Sequence, residues 1–141
     1  MNEHSYLLRE GRWQISGSTI DVAGNPNVMV GYAIVTRGKD GWTIDEELNE
    51  NTSCFTIAPL TDDRNATTFT GRDGISGEVH GTFAFFDDVI LCAYHSEDSG
   101  YMASEVFVRK AEDCYEARGA LFLNGGHVSS WSLTLTPAAS E

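Results

Sequence analysis

Hydrophobic and polar residues alternate with a period of two along most of this chain. β-branched and aromatic residues occupy every second position of short runs, and glycines recur between them. This alternation is typical of strands with one buried face, whereas an amphipathic helix would repeat every 3.6 residues. The pattern therefore predicts an all-β protein. The strand-like runs cover residues 11–21, 28–37, 41–49, 53–58, 66–70, 75–86, 89–96, 101–110, 114–123 and 127–136.

Short turn-forming segments such as Asn25-Pro26-Asn27, Asp87-Asp88 and Asn124-Gly125-Gly126 separate these runs. Connections this short join antiparallel neighbours, because a parallel pairing needs a crossover of a dozen or more residues. About eight to ten strands in succession exceed what an open twisted sheet carries comfortably, and closure removes its exposed edges. We therefore expect one domain over residues 1–141, an antiparallel up-and-down meander closed into a small barrel. A two-sheet β-sandwich is the alternative, because periodicity does not show whether the first and last strands pair.

The beginning of the chain departs from the strand pattern. Ser5 is placed to cap a short helical turn through Leu7, Leu8 and Arg9. We expect this lead-in to lie across one end of the fold.

The period of two also predicts the inward faces of the strands. The last run is clearest, because Ser129, Trp131, Leu133 and Leu135 alternate with serines and threonines. His127 and Tyr115 fall on inward faces by the same reasoning. Run 101–110 is ambiguous, since apolar residues occupy both of its faces.

The charge balance is strongly acidic and limits the partners. Nine Lys and Arg stand against 21 Asp and Glu, a formal net charge of −12. Such a field repels the phosphates of nucleic acids and anionic membrane surfaces, so we expect neither as a partner. Solubility is the favoured explanation of the acidity and an acidic docking face is the alternative, while a homo-oligomer such as a homodimer stays open.

The start of the chain has no basic segment followed by an apolar stretch of signal-peptide length. The three cysteines, Cys54, Cys92 and Cys114, are odd in number and lack a C-x-x-C spacing. A disulfide framework or a zinc site is therefore not expected, and the cytoplasm is the predicted compartment.

Gly11-Arg12-Trp13 opens the first long strand directly after the lead-in, and a meander of hairpins follows. This arrangement resembles the calycin group of barrels, which includes the lipocalins and carries a Gly-x-Trp signature in its first strand. The resemblance implies a cup closed at the bottom by Trp13, which holds a small, largely apolar molecule and prescribes no catalytic residues. Lipocalins place an arginine of the last strand on that tryptophan; 127–136 contains none, and Arg109 or Arg118 could take this part.

The candidates for chemistry are few. His4, His80, His95 and His127 show no metal-ligand spacing, and neither Cys92 with His95 nor Ser129 with His127 carries the motif of a nucleophilic triad. We expect no metal, no cofactor and no catalytic residue.

Three functional hypotheses remain. The first is a non-enzymatic barrel that binds a small apolar or aromatic ligand. The second is a protein-interaction or assembly module with a filled lumen, and the third is an isomerase or cyclase that works in the lumen. For the first hypothesis the predicted ligand-binding residues are Trp13, Tyr32, Phe83, Phe85, Tyr115, His127, Ser129 and Trp131.

Overall fold

The computed structural model describes residues 4, 6–39, 41–60 and 65–138, and these form ten strands. The strands are β1 (Gly11–Asp21), β2 (Pro26–Gly38), β3 (Gly41–Leu48), β4 (Asn51–Ile57), β5 (Ala66–Asp73), β6 (Gly77–Phe86), β7 (Val89–His95), β8 (Tyr101–Ala111), β9 (Cys114–Leu123) and β10 (Gly126–Pro137). All ten predicted runs are strands, including the short runs 53–58 and 66–70. Residues 71–73 extend β5, and the turn follows them.

The ten strands form one closed antiparallel barrel of the up-and-down kind. Each strand pairs with its neighbours in sequence, and β1 closes the ring by pairing with β10 from Trp13↔Pro137 to Asp21↔Ser129. The predicted meander is confirmed, and the alternative sandwich is wrong because the first and last strands pair along most of their length.

The hairpins divide the barrel into two ends. Because the strands alternate in direction, the β1–β2, β3–β4, β5–β6, β7–β8 and β9–β10 connections lie at one end, which we call the mouth. The β9–β10 hairpin shows the local cause of such a turn. Asn124 and Gly125 have φ values of 49° and 86°, the left-handed pair that Asn-Gly supplies in a two-residue turn.

The lead-in lies at the other end, which we call the closed end. Residues 6–9 form a turn rather than a helical segment, and Leu7 has a φ of 72°. Tyr6 and Leu7 are buried, and the Tyr6 ring meets Trp13 at 5.3 Å between centroids. The lead-in thus plugs the barrel as expected, while the proposed cap Ser5 lies outside the described residues.

The alternation of faces is confirmed for residues 115–121 of β9 and 129–135 of β10. Tyr115, Ala117, Leu121, Leu133 and Leu135 are all buried. The ambiguous run 101–110 is resolved in favour of its odd positions, because Ala103 and Phe107 are buried while Met102 is exposed. This register also turns Glu105 inward.

Within the described ranges, a helix long and apolar enough to span a membrane does not occur. No group of three or more His, Cys, Asp or Glu among the same residues is arranged to hold a metal ion.

Candidate functional site

The barrel encloses a cavity of about 320 Å³. It reaches from Tyr6 at the closed end to Asn49, Asn51 and Ile75 at the mouth, where these three residues are exposed. The lumen is therefore not filled by side chains. Its wall is formed by Tyr6, Ile15, Thr19, Met29, Ile44, Glu46, Leu48, Asn49, Asn51, Ser53, Phe55, Phe69, Asp73, Ile75, Phe83, Cys92, Tyr94, Glu105, Phe107, Leu121, Ser129, Trp131, Leu133 and Leu135.

One side of the wall is aromatic. Phe69 of β5 stacks on Phe83 at 4.6 Å between ring centroids and meets Phe55 edge-on at 5.6 Å. Phe69 is able to lie this way because its cross-strand partner is Gly81, where a Cβ would come within 2.4 Å of the Phe69 ring. The absence of a side chain at Gly81 therefore leaves room for the aromatic ring of Phe69.

Trp131 of β10 uses a second glycine in the same manner. It pairs with Gly119, whose missing side chain leaves room for the indole ring: a Cβ there would lie 2.5 Å from it. The indole Nε1–H donates a hydrogen bond of 2.7 Å to Oε2 of Glu105 on β8. Gly119 thus holds Trp131 where it can reach across β9 to the carboxyl.

Two carboxyl groups, those of Glu46 and Glu105, face the apolar interior of the barrel. Burial raises the pKa of Glu46 to about 8, with smaller contributions from the negative charges of Glu105 and Asp73. Burial raises the pKa of Glu105 to about 7, opposed by the hydrogen bond from Trp131, which stabilises the ionised form. Both groups therefore change protonation state near neutral pH.

Cys92 and Tyr94 of β7 also line this part of the cavity. Cys92 stands opposite Glu105 in the β7–β8 ladder. Burial, followed by the nearby Glu105 charge, raises the pKa of the Cys92 thiol well above its ordinary value, and burial raises that of the Tyr94 hydroxyl. Both groups are thus neutral hydrogen-bonding groups and not ready nucleophiles.

Polar side chains form the rim. Ser53 Oγ donates a hydrogen bond of 3.0 Å to Asp73 Oδ1. The Asn49 amide bridges to β2, where its Oδ1 accepts from the Val30 N–H at 2.9 Å and its Nδ2 donates to the Val28 carbonyl at 2.8 Å. These bonds fix two of the hairpins around the mouth.

The predicted site residues divide into three groups. Phe83, Ser129 and Trp131 line the cavity. Trp13, Phe85 and Tyr115 are buried at the closed end below it, where Tyr115 hydroxyl and His4 Nδ1 are 2.7 Å apart. Tyr32 and His127 are not in the interior.

The predicted inward direction of His127 is wrong because of a β-bulge. His127 pairs with Phe122 and Ser129 pairs with Leu121, so Val128 is an extra residue that breaks the alternation. His127 is exposed, and its Nε2 lies 2.8 Å from Ser130 Oγ on the outer surface.

The predicted inward direction of Tyr32 is also wrong, because its neighbours Ala33 and Val35 occupy the buried face of β2. Tyr32 lies outside under the Arg12 guanidinium, 4.6 Å from the ring centroid. Arg118, a candidate partner of Trp13, instead pairs with Glu116 at 2.9 Å, and Tyr6 and Tyr115 contact the Trp13 ring.

Sequence reasoning missed Glu46 and Glu105, although a signal was present. In 42–48 the even positions are apolar except for Glu46, and in 103–107 Glu105 stands between Ala103 and Phe107. A carboxylate on an otherwise apolar stripe is the mark of a buried acid.

No protein-family model and no curated protein sequence matches this chain. Among solved structures, the chain is similar to an S-type phycobiliprotein lyase from Guillardia theta, with a TM-score of 0.65 and 10% identity over 94% of this chain and 89% of that one. It is also similar to a protein of unknown function of the DUF3598 family from Nostoc punctiforme, with a TM-score of 0.69 and 12% identity over 92% of this chain. That match spans 47% of the second protein, about half its length. At these identities the likeness is one of fold, a calycin-like barrel.

Proposed function

We propose that this protein is a binding barrel that holds a small, largely apolar or aromatic molecule without transforming it. The cavity carries the proposal: about 320 Å³ of space, plugged at one end and open at the other, lies inside a wall that is mainly apolar. Pockets of this type and of roughly 300–1,000 Å³ are the usual sites of small-molecule binding. The volume, at the low end of that range, suits a compact ligand of one or two rings.

The aromatic wall supplies the main attraction. Phe55, Phe69 and Phe83 present ring surface to the space, and a ligand that covers it removes apolar area from water at about 25 cal/mol per Å². The phycobiliprotein lyase shares the barrel fold, which is compatible with a binding role, but at 10% identity no residue role carries over from it.

The test is to block the cavity. Ser129→Phe adds a ring inside the barrel, whereas Ser132→Phe adds the same ring on the opposite face of β10. We expect wild type and Ser132→Phe to bind an uncharged apolar fluorophore with quenching of tryptophan emission, and Ser129→Phe to lose at least about tenfold in affinity. Equal binding by both variants, or no binding by the folded wild type, would refute the binding barrel.

A second candidate, an isomerase or cyclase acting by proton transfer, is favoured by one observation. Glu46 and Glu105 face the same cavity with pKa values of about 8 and about 7, the range that suits a general acid or base at neutral pH. It predicts that the wild type, but not Glu46→Gln or Glu105→Gln, accelerates deuterium exchange next to the carbonyl of a small aromatic ketone. If the wild type does not accelerate this exchange, the enzyme candidate is refuted and the binding function remains.

A further inference from the structure

The charged side chains that line the cavity among the described residues are all acidic. They are Glu46, Asp73 and Glu105, whereas no lysine, arginine or histidine of the described ranges lines the cavity. A bound carboxylate would therefore enter a space that holds only like charges and no cation to pair with it. A bound cation would find partners of opposite charge.

Within the described part of the chain, the Glu46 carboxyl stands without a partner. It is enclosed by the barrel, and no hydrogen bond or ion pair reaches it from a described side chain. Its side chain is half-buried and lines the cavity, so a molecule in the cavity can reach its carboxyl group. A ligand in the cavity can therefore supply the hydrogen-bond donor that this carboxyl lacks among the described residues.

Only one of the two carboxyl oxygens of Glu105 has a hydrogen-bond partner among the described residues. Its Oε2 accepts the indole N–H of Trp131, which leaves Oε1 without a described partner. The two carboxyls come from β3 and β8, which lie on opposite sides of the ring, and the negative charge of Glu105 contributes to the raised pKa of Glu46. A positively charged group in the cavity would thus be approached from two sides.

We propose that the ligand is an aromatic or apolar molecule with a basic nitrogen, whose ammonium group is bound by Glu46 and Glu105 while its ring packs on Phe69 and Phe83. This inference rests on the proposed binding function and specifies its ligand class. A protonated amine donates charge-assisted hydrogen bonds to carboxylates, which are about twice as strong as neutral ones. Each carboxyl that ionises on binding releases one proton to solvent, while the amine keeps its charge.

The experiment compares three naphthyl probes of equal length that end in an amine, an alcohol or a carboxylate. Titration calorimetry at pH 6, in two buffers of different ionisation enthalpy, measures affinity and proton release together. We expect the amine to bind at least about tenfold more tightly than the alcohol, the carboxylate to bind most weakly, and protons to be released only with the amine.

Glu46→Gln and Glu105→Gln should each reduce the preference for the amine over the alcohol severalfold and lower the proton release. Both substitutions keep the shape of a neutral carboxyl, so folding is expected and is checked by circular dichroism. Glu47→Gln, the neighbouring residue on the opposite face of β3, is the matched control and should leave the preference unchanged.

The outcomes separate the two proposals. Alcohol or carboxylate binding as tightly as the amine, or a preference that survives both Gln variants, would overturn the basic-nitrogen class while leaving the binding barrel intact. Failure of all three probes to bind the folded wild type would overturn both.

Discussion

Glu46 sits in an apolar cavity where ionisation is unfavourable, and this makes a single side chain a determinant of pH-dependent stability. In the unfolded chain its pKa is near the ordinary 4.5, whereas in the barrel burial raises the pKa to about 8. Below pH 4.5 both states hold the proton and the stability is fully present. Between pH 4.5 and 8 the unfolded state loses the proton first, so the free energy of unfolding falls as the pH rises. Glu105, with a pKa of about 7, acts in the same direction.

We therefore predict that the free energy of unfolding, measured by denaturant titration, is larger at pH 5 than at pH 8. Glu46→Gln removes the ionisable group and should raise the free energy of unfolding at pH 8 by up to about 4 kcal/mol, with an effect below about 1 kcal/mol at pH 5. Glu47→Gln should leave the pH dependence as it is. A wild-type protein equally stable at the two pH values would contradict this account.

His4 produces a pH dependence of the opposite sign. Burial, and next the positive charge of Arg109, lowers the pKa of this imidazole below its ordinary 6.5. As the pH falls below 6.5 the unfolded state takes up a proton that the folded state resists, so the stability of the plugged end falls. We expect Leu7 and its neighbours to become susceptible to limited proteolysis between pH 6 and pH 5, whereas His4→Gln should show no such onset. Cleavage that is independent of pH in the wild type would exclude this role for His4.

At the scale of elements, the glycine and aromatic pairs between neighbouring strands shape the cavity. Phe69 over Gly81 and Trp131 over Gly119 each fill the space above a glycine with a ring from the next strand. These glycines therefore position aromatic rings, and the cavity lies beside those rings.

Gly119→Ala is predicted to displace the indole of Trp131, because the new Cβ would lie 2.5 Å from the ring. The shift should destabilise the barrel by roughly 1–3 kcal/mol. It should also break the hydrogen bond to Glu105, which raises the pKa of that carboxyl further. Indole N–H chemical shifts and carboxyl titration by NMR would measure both effects. Gly38→Ala, where the nearest atom is 3.6 Å away, is the matched control, and a similar result for the two variants would argue against the ring displacement.

The lead-in is the second element with a defined task, since it closes one end of the barrel. Tyr6 is 2% exposed and packs on Trp13, Phe107 and Tyr115 while it also lines the cavity floor. Tyr6→Ala should cost about 3–5 kcal/mol of stability and enlarge the cavity from below. Thermal unfolding and the affinity for a larger apolar dye would report the two effects, and unchanged values for both would show that the plug is dispensable.

For the whole molecule, closure removes the two edge strands that an open meander would have. β1 pairs with β10 and with β2 along most of its length, so the first and last strands are held as firmly as internal ones. The shortest ladder joins β4 to β5, where register pairs run only from Cys54↔Arg72 to Ile57↔Phe69.

We accordingly predict that native-state hydrogen exchange is slow in the centres of β1 and β10 and fastest, among strand amides, in β4 and β5. Exchange measured by NMR or mass spectrometry at the pH of greatest stability would test this order. Early exchange of β1 together with β10 would contradict a closed barrel in solution.

The chain alone determined the strands, their order and most inward faces, because period-two alternation and short turns are local properties. Ser129, Trp131, Leu133 and Leu135 were placed correctly for this reason. Closure was only an expectation from strand number, since no local signal reports whether residues 13–21 meet residues 129–137.

The tertiary structure decided the polar chemistry of the site. One extra residue, Val128, turned His127 outward, and a bulge of this kind depends on how two strands pair and not on either strand by itself. The register of β8 turned Glu105 inward, where packing beside Trp131 made it a hydrogen-bonded acid with a raised pKa. Alternation tells which face of a strand a residue occupies. Glu46 and Glu105 are 59 positions apart in sequence, and only the assembled barrel brings them to one cavity. Their meeting depends on the curvature and closure of the sheet, which are not local properties.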